Sequence, residues 1–99
     1  MNPFKAAHDK LGWPGTLLQL AKDAADLSKA AFELRGVLAS NYEPQRMGKA
    51  MAKLYEKIGD LQNCLTVLDA YGQVDKGDIE RLREFKMDRW LERLKEDQP

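Results

Sequence analysis

The sequence predicts an all-α protein: an antiparallel helical hairpin followed by a C-terminal helix, assembling as an oligomeric helical bundle. Three observations carry that expectation. Apolar residues recur with a three-four alternation at Leu17, Leu20, Ala24, Leu27, Ala31, Leu34 and Leu38, and again at Met47, Met51, Leu54, Ile58, Leu61, Leu65 and Leu68. This is the spacing of a helix face that packs on another helix. No segment alternates apolar and polar residues for long enough to make a strand. Pro and Gly fall in a few places only, and they cut the chain into helical lengths.

The elements follow in order. Asn2-Pro3 reads as an N-cap followed by proline at the first helical position, opening a short helix over 3–11 that ends at Gly12. Trp13-Pro14-Gly15 reads as a turn, and Thr16 as the N-cap of a core helix over 17–38. Residues 41–44 interrupt the pattern, and a second core helix runs over 45–71, closed by Tyr71-Gly72. After the polar segment Val74-Asp75-Lys76-Gly77, Asp78 is placed to cap a third helix over 78–95. All 99 residues make one domain, because a chain of 11.3 kDa has room for a single core. Two long apolar seams and a third helix expose more adhesive surface than one hairpin covers, so a homodimer or tetramer is expected.

Composition excludes several function classes. Sixteen Lys plus Arg balance sixteen Asp plus Glu, which argues against nonspecific binding to nucleic acid or to anionic membrane. The single cysteine, Cys64, has no partner for an intramolecular disulfide. With His8 as the one histidine, neither a Cys-rich zinc site nor a His-rich centre is available. There is no apolar run of membrane-spanning length, and Met1-Asn2-Pro3-Phe4-Lys5 lacks the apolar region of a signal peptide. A cytoplasmic protein is expected.

Local charge patterning is more informative. At about 100° per residue, Asp23 and Asp26 lie roughly 65° and 125° to one side of the first apolar stripe. Lys57 and Asp60 lie roughly 70° and 130° to the same side of the second. In an antiparallel hairpin or across a dimer seam, these positions can converge at the edge of the core. Three carboxylates so placed make a hard oxygen site suited to Mg²⁺. The alternative is a solvated border of ion pairs.

These segments carry a family resemblance. Lys22-Asp23-Ala24-Ala25-Asp26-Leu27, with Lys29 and Arg35 downstream, resembles the EExxEL stretch of the MazG-like all-α nucleoside triphosphate pyrophosphohydrolases. Glu56-Lys57-Ile58-Gly59-Asp60-Leu61 resembles their EExxD motif. The run from Phe85 to Leu94 is similar to the Lys- and Arg-bearing last helix of short phage-type members. The resemblance covers most of the chain from Leu17 onward. It implies Mg²⁺, with Mn²⁺ as a substitute, held by acidic residues on two helices, and a metal-activated water attacking a nucleoside triphosphate between the α- and β-phosphates. The products are a monophosphate and pyrophosphate. Carried over position by position, Asp23, Asp26 and Asp60 would be the metal ligands and catalytic residues.

The chain also departs from that pattern. Lys22 stands in place of the first Glu, and Asp23 and Asp26 are each one methylene shorter than Glu. Lys57 stands where the family has a ligand Glu, and an ammonium repels Mg²⁺. Lys57 can instead pair with the aspartates or touch a nucleotide phosphate. Glu56, roughly 170° from the apolar stripe, points to solvent. The spacing between the two motifs is slightly long for the family.

On the last helix Glu80, Glu84, Asp88 and Glu92 form one row, while Lys86, Arg89 and Arg93 share another beside Met87, Trp90 and Leu94. The basic row suits triphosphate oxygens or the acidic residues of a partner helix. Trp13, in a Pro-Gly turn, is a candidate for stacking on a base, whereas Trp90 reads as an anchor onto the core. Cys64, Met47, Met51 and Met87 read as packing residues. Two functions follow. One is a MazG-like nucleotide-binding protein acting as a Mg²⁺-dependent pyrophosphohydrolase on an NTP or dNTP, impaired by Lys57. The other is a catalytically inactive helical dimer acting as a protein-interaction module.

Overall fold

The computed structural model describes residues 2–41, 43–70 and 74–96, and these form three helices with no strand among them. They are α1 (Pro3–Ala39), α2 (Pro44–Asp69) and α3 (Lys76–Glu96). Tyr71 and Gly72, expected to close the second core helix, lie outside the described residues.

Local chemistry sets the start of each helix. The Asn2 side chain accepts hydrogen bonds from the backbone N–H groups of Phe4 at 2.9 Å and Lys5 at 3.5 Å, with Pro3 at the first helical position. Within α1, Gly12 adopts φ 69° and ψ 177°, a region essentially restricted to glycine. The helix kinks there and resumes. Pro14 falls in the first turn after the kink, where a missing N–H costs little. Trp13-Pro14-Gly15 is thus helical where a turn was expected. Thr16 is not an N-cap: its side chain is fully buried and its hydroxyl donates to the Gly12 carbonyl at 2.7 Å. Gly12→Ala should cost about 1–3 kcal/mol, because the added Cβ forbids this backbone region. Urea denaturation of the variant checks it.

α2 begins with Pro44 at its first position and ends as the Ala70 N–H donates to the Thr66 carbonyl. For α3 the cap is Asp75, not Asp78. The Asp75 carboxylate accepts the Asp78 N–H at 3.1 Å and its carbonyl accepts the Ile79 N–H. Asp78 sits inside the first turn and pairs with Arg81. An ion pair of 2.7 Å between Lys76 and Asp69 links the start of α3 to the end of α2.

α1 packs against α2. Thr16 meets Cys64 and Glu33 meets Lys53, so one chain direction advances as the other retreats and the pair is antiparallel. The seam differs in rotation from the expected one. Thr16, Asp23, Ala30 and Val37 are buried, with Leu20, Leu27 and Leu34 half-buried between them, while Leu17, Ala24, Ala31 and Leu38 are exposed. The interface has turned by roughly 60° toward the side that carries Asp23. On α2 the buried residues are Ala50, Cys64, Val67 and Leu68, whereas Ile58 and Leu65 face outward. Small residues at 30 and 50 allow close approach of the two backbones, and leucines of the expected stripes are left on an outer face.

α3 contributes no buried residue. The expectation that Trp90 anchors it onto the core fails, since Trp90 is 51% exposed, and Met87 is likewise exposed. Among the described residues no helix is long and apolar enough to cross a membrane.

Candidate functional site

The kink at Gly12 folds residues 3–11 back beside the hairpin and closes one wall of a cavity of about 340 Å³. Ala7 and Leu11 form that wall, Thr16, Gln19 and Asp23 line it from α1, and Asp60, Asn63, Cys64 and Val67 line it from α2. Gly15 permits the closure: a Cβ there would stand 3.3 Å from the Leu11 Cβ, tighter than ordinary side-chain contact. The cavity is large enough for part of a small ligand.

Asp23 is buried, at 8% exposure, and one of its carboxylate oxygens accepts the Gln19 side-chain amide at 3.0 Å. A buried carboxylate needs such donors, because its charge is costly to desolvate alone. The neighbouring Cys64 thiol donates to the Thr16 carbonyl at 3.6 Å. Burial, reinforced by the negative charge of Asp23, pushes the Cys64 thiol above its ordinary pKa of 9.0. The folded state therefore holds this proton more tightly than the unfolded chain does. That contribution is intact below pH 9 and is lost as pH rises above it, so unfolding free energy should fall on the alkaline side. Denaturation curves compared between the native chain and Cys64→Ser isolate this effect.

Asp60 reaches the cavity from α2, and its carboxylate also faces the Lys57 ammonium at 3.8 Å. Lys57 in turn lies 3.9 Å from Glu56 and keeps only 22% of its side-chain surface exposed. Its position continues the seam spacing of Leu54, Leu61, Cys64 and Leu68, so the half-buried side chain lies along the hairpin seam while its ammonium pairs with the exposed Glu56 and the half-exposed Asp60 of the same helix.

The structure thus brings two of the three expected ligands, Asp23 and Asp60, to one cavity from opposite helices. Asp26 is exposed and does not line it, nor does Trp13. Lys86, Arg89 and Arg93 are exposed on α3, and no residue of α3 lines the cavity. Arg89 lies over the Phe85 ring at 5.8 Å, while Lys86 and Arg93 border a shallow groove on α3 itself with Trp90. Among the described residues, no three or more His, Cys, Asp or Glu side chains gather closely enough to hold a metal ion. Thr16, Gln19, Asn63 and Cys64 were not expected as lining residues. The signal for Thr16 is the seven-residue repeat 16, 23, 30, 37, whose polar members are hidden beside a stronger run of leucines; no comparable repeat marks Gln19, Asn63 or Cys64. No protein-family model, curated protein or solved structure matches the chain.

Proposed function

We propose that the chain is a MazG-like nucleotide-binding protein that hydrolyses a nucleoside triphosphate to the monophosphate and pyrophosphate with Mg²⁺. The observation that carries this reading is the placement of Asp23 and Asp60, one from each motif, on the wall of a single cavity between α1 and α2. Two carboxylates, one of them facing Lys57, fall short of a cage for a free ion. They suit an ion that arrives on a triphosphate, since Mg²⁺ keeps several waters and is held by one or two carboxylates together with substrate phosphates. When bound, that ion would polarise phosphoryl oxygens and lower the pKa of a water. The chain supplies the rest. Asp23, oriented by Gln19, and Asp60, paired with Lys57, supply negative charge from opposite walls, with Leu11 and Val67 as apolar lining beside them.

A panel of NTPs and dNTPs with Mg²⁺ or Mn²⁺, read by pyrophosphate release, tests the proposal. Turnover of at least one member is expected, and Asp60→Ala should reduce it by more than the roughly 10–100-fold that loss of an outer-shell partner of a metal costs. A second reading, an inactive helical dimer that binds another protein, is favoured by the Lys57 to Asp60 ion pair at a ligand position. It predicts no turnover across the panel and recovery of a defined protein partner in a pull-down.

A further inference from the structure

The chain is neutral as a whole but not along its length. Between Asp26 and Glu56 the sequence holds five Lys and Arg against two Glu, an excess of three positive charges that the remaining segments offset. Three of the five share one face of α2, since positions 46, 49 and 53 fall within roughly 60° of one another. Arg46, Lys49 and Lys53 line a groove of about 760 Å³ that opens between α1 and α2 near the loop joining them. Lys53 pairs with Glu33 at 3.6 Å, both side chains about half exposed, whereas Arg46 and Lys49 form no ion pair among the described residues. The cavity that holds Asp23 and Asp60 lies elsewhere, beside Cys64, roughly 16 Å further along α2 from Lys53.

The α1 wall of the groove adds an aromatic ring and a bare stretch of backbone. Phe32 is 68% exposed, the most exposed large apolar side chain among the described residues. Gly36 follows one turn later on the same wall. A Cβ at Gly36 would meet nothing within 4 Å, and its backbone is helical. A larger residue is therefore compatible with the fold at position 36, and the missing side chain leaves the groove open.

We propose that this groove binds a short single-stranded nucleic acid, with Arg46 and Lys49 on its phosphates and Phe32 stacked on one of its bases. The inference goes beyond the nucleotide reading and does not depend on it. The arrangement suits a strand in three respects. Cations distributed over roughly 10 Å of one helix face follow a backbone of repeated phosphates. Arg46 offers a forked donor set for a phosphate, and Lys49 a point charge. An exposed ring accepts any base, because every base has a π-face, whereas a duplex keeps its bases stacked within itself. An acidic peptide would satisfy the cations and leave Phe32 without a base to stack on. Three cations limit the contact to two or three phosphates, and that number fixes the salt dependence.

The test is fluorescence anisotropy of a labelled oligothymidylate titrated with the full chain in EDTA, repeated over a range of salt. Binding is expected, with the logarithm of the affinity falling against the logarithm of salt with a slope of about −1.4 to −2.1, or about 0.7 per phosphate. No binding at low salt, or an affinity indifferent to salt, overturns the proposal. Arg46→Gln and Lys49→Gln should each make the slope shallower by about 0.7, and an unchanged slope in both overturns the placement. Phe32→Ala should weaken binding about five- to a hundredfold, the usual loss on removing a stacking ring, and Phe32→Tyr should restore it. Full affinity in Phe32→Ala overturns the stacking, and with it the choice of a nucleic acid. Gly36→Leu changes no charge and replaces glycine with a better helix former, so its helical circular dichroism should be kept while the filled groove loses affinity. Native affinity in that variant means a diffuse charge effect and overturns the groove as the site. Polyglutamate of equal charge should compete poorly; competition as strong as that of unlabelled oligothymidylate assigns the groove to an acidic polypeptide and overturns the proposal. Without divalent metal no turnover enters any readout, and Asp60→Ala should bind the strand as the native chain does, so failure of the hydrolase reading and failure of this one are told apart.

Discussion

Leu68→Ala should lower the unfolding free energy by about 2–5 kcal/mol, the usual cost of truncating a buried leucine. For a chain of this length that corresponds to a fall in melting temperature of at least about 10 °C. Leu68 is 5% exposed, and the other buried apolar residues are Ala30, Val37, Ala50, Cys64 and Val67, all smaller than leucine. It is the largest of the buried apolar side chains in a thin core. Thermal denaturation followed by helical circular dichroism measures the effect. A shift of only a degree or two would mean that the α1 to α2 seam is not where the stability resides.

Lys57→Glu should make the protein respond to Mg²⁺. The substitution replaces an ammonium 3.8 Å from Asp60 with a third carboxylate at the seam beside the cavity. Without metal, the introduced carboxylate would face Asp60 and Glu56 with like charge, and the variant should melt below the native chain. With Mg²⁺ at ten times its dissociation constant, linkage restores about 1.4 kcal/mol, a rise of several degrees in the variant that the native chain does not show. Calorimetric titration gives the same comparison directly. Flat titrations for both proteins would mean that positions 23, 57 and 60 do not face one ion, and the metal part of the functional proposal would fall.

The helical class was legible in the sequence because the three-four alternation of leucines leaves no other economical packing, and the start of α1 was legible in Asn2-Pro3, whose side chain caps two N–H groups. The rotation of the hairpin was not. Leu17, Ala24, Ala31 and Leu38 form a more apolar line than Thr16, Asp23, Ala30 and Val37, yet the structure buries the second line. The small Ala30 and Ala50 let the helices close up, and Thr16 and Asp23 become tolerable in the seam once Gly12 and Gln19 satisfy their hydrogen bonds. Each partner stands one helical turn away, a local polar pairing that apolar periodicity does not register. The same rotation explains the site. Asp23 and Lys57, placed by counting at the border of their stripes, become seam residues, while Asp26 stays in solvent. For α3 the charge rows were legible, but Trp90 reads as an anchor because an aromatic residue on an apolar face ordinarily finds a core within its own chain. Here that face stays exposed.

A triphosphate and its divalent ion, on the reading proposed above, sit between Asp23 and Asp60. The most direct measurement is paramagnetic broadening of backbone amide resonances by Mn²⁺ in the presence of a nonhydrolysable nucleoside triphosphate analogue. The amides of Asp23, Asp60, Asn63 and Cys64 should broaden first, the effect should require the nucleotide, and Asp60→Ala should remove it. Broadening centred on α3, or none at concentrations where the nucleotide is in excess, would contradict that placement.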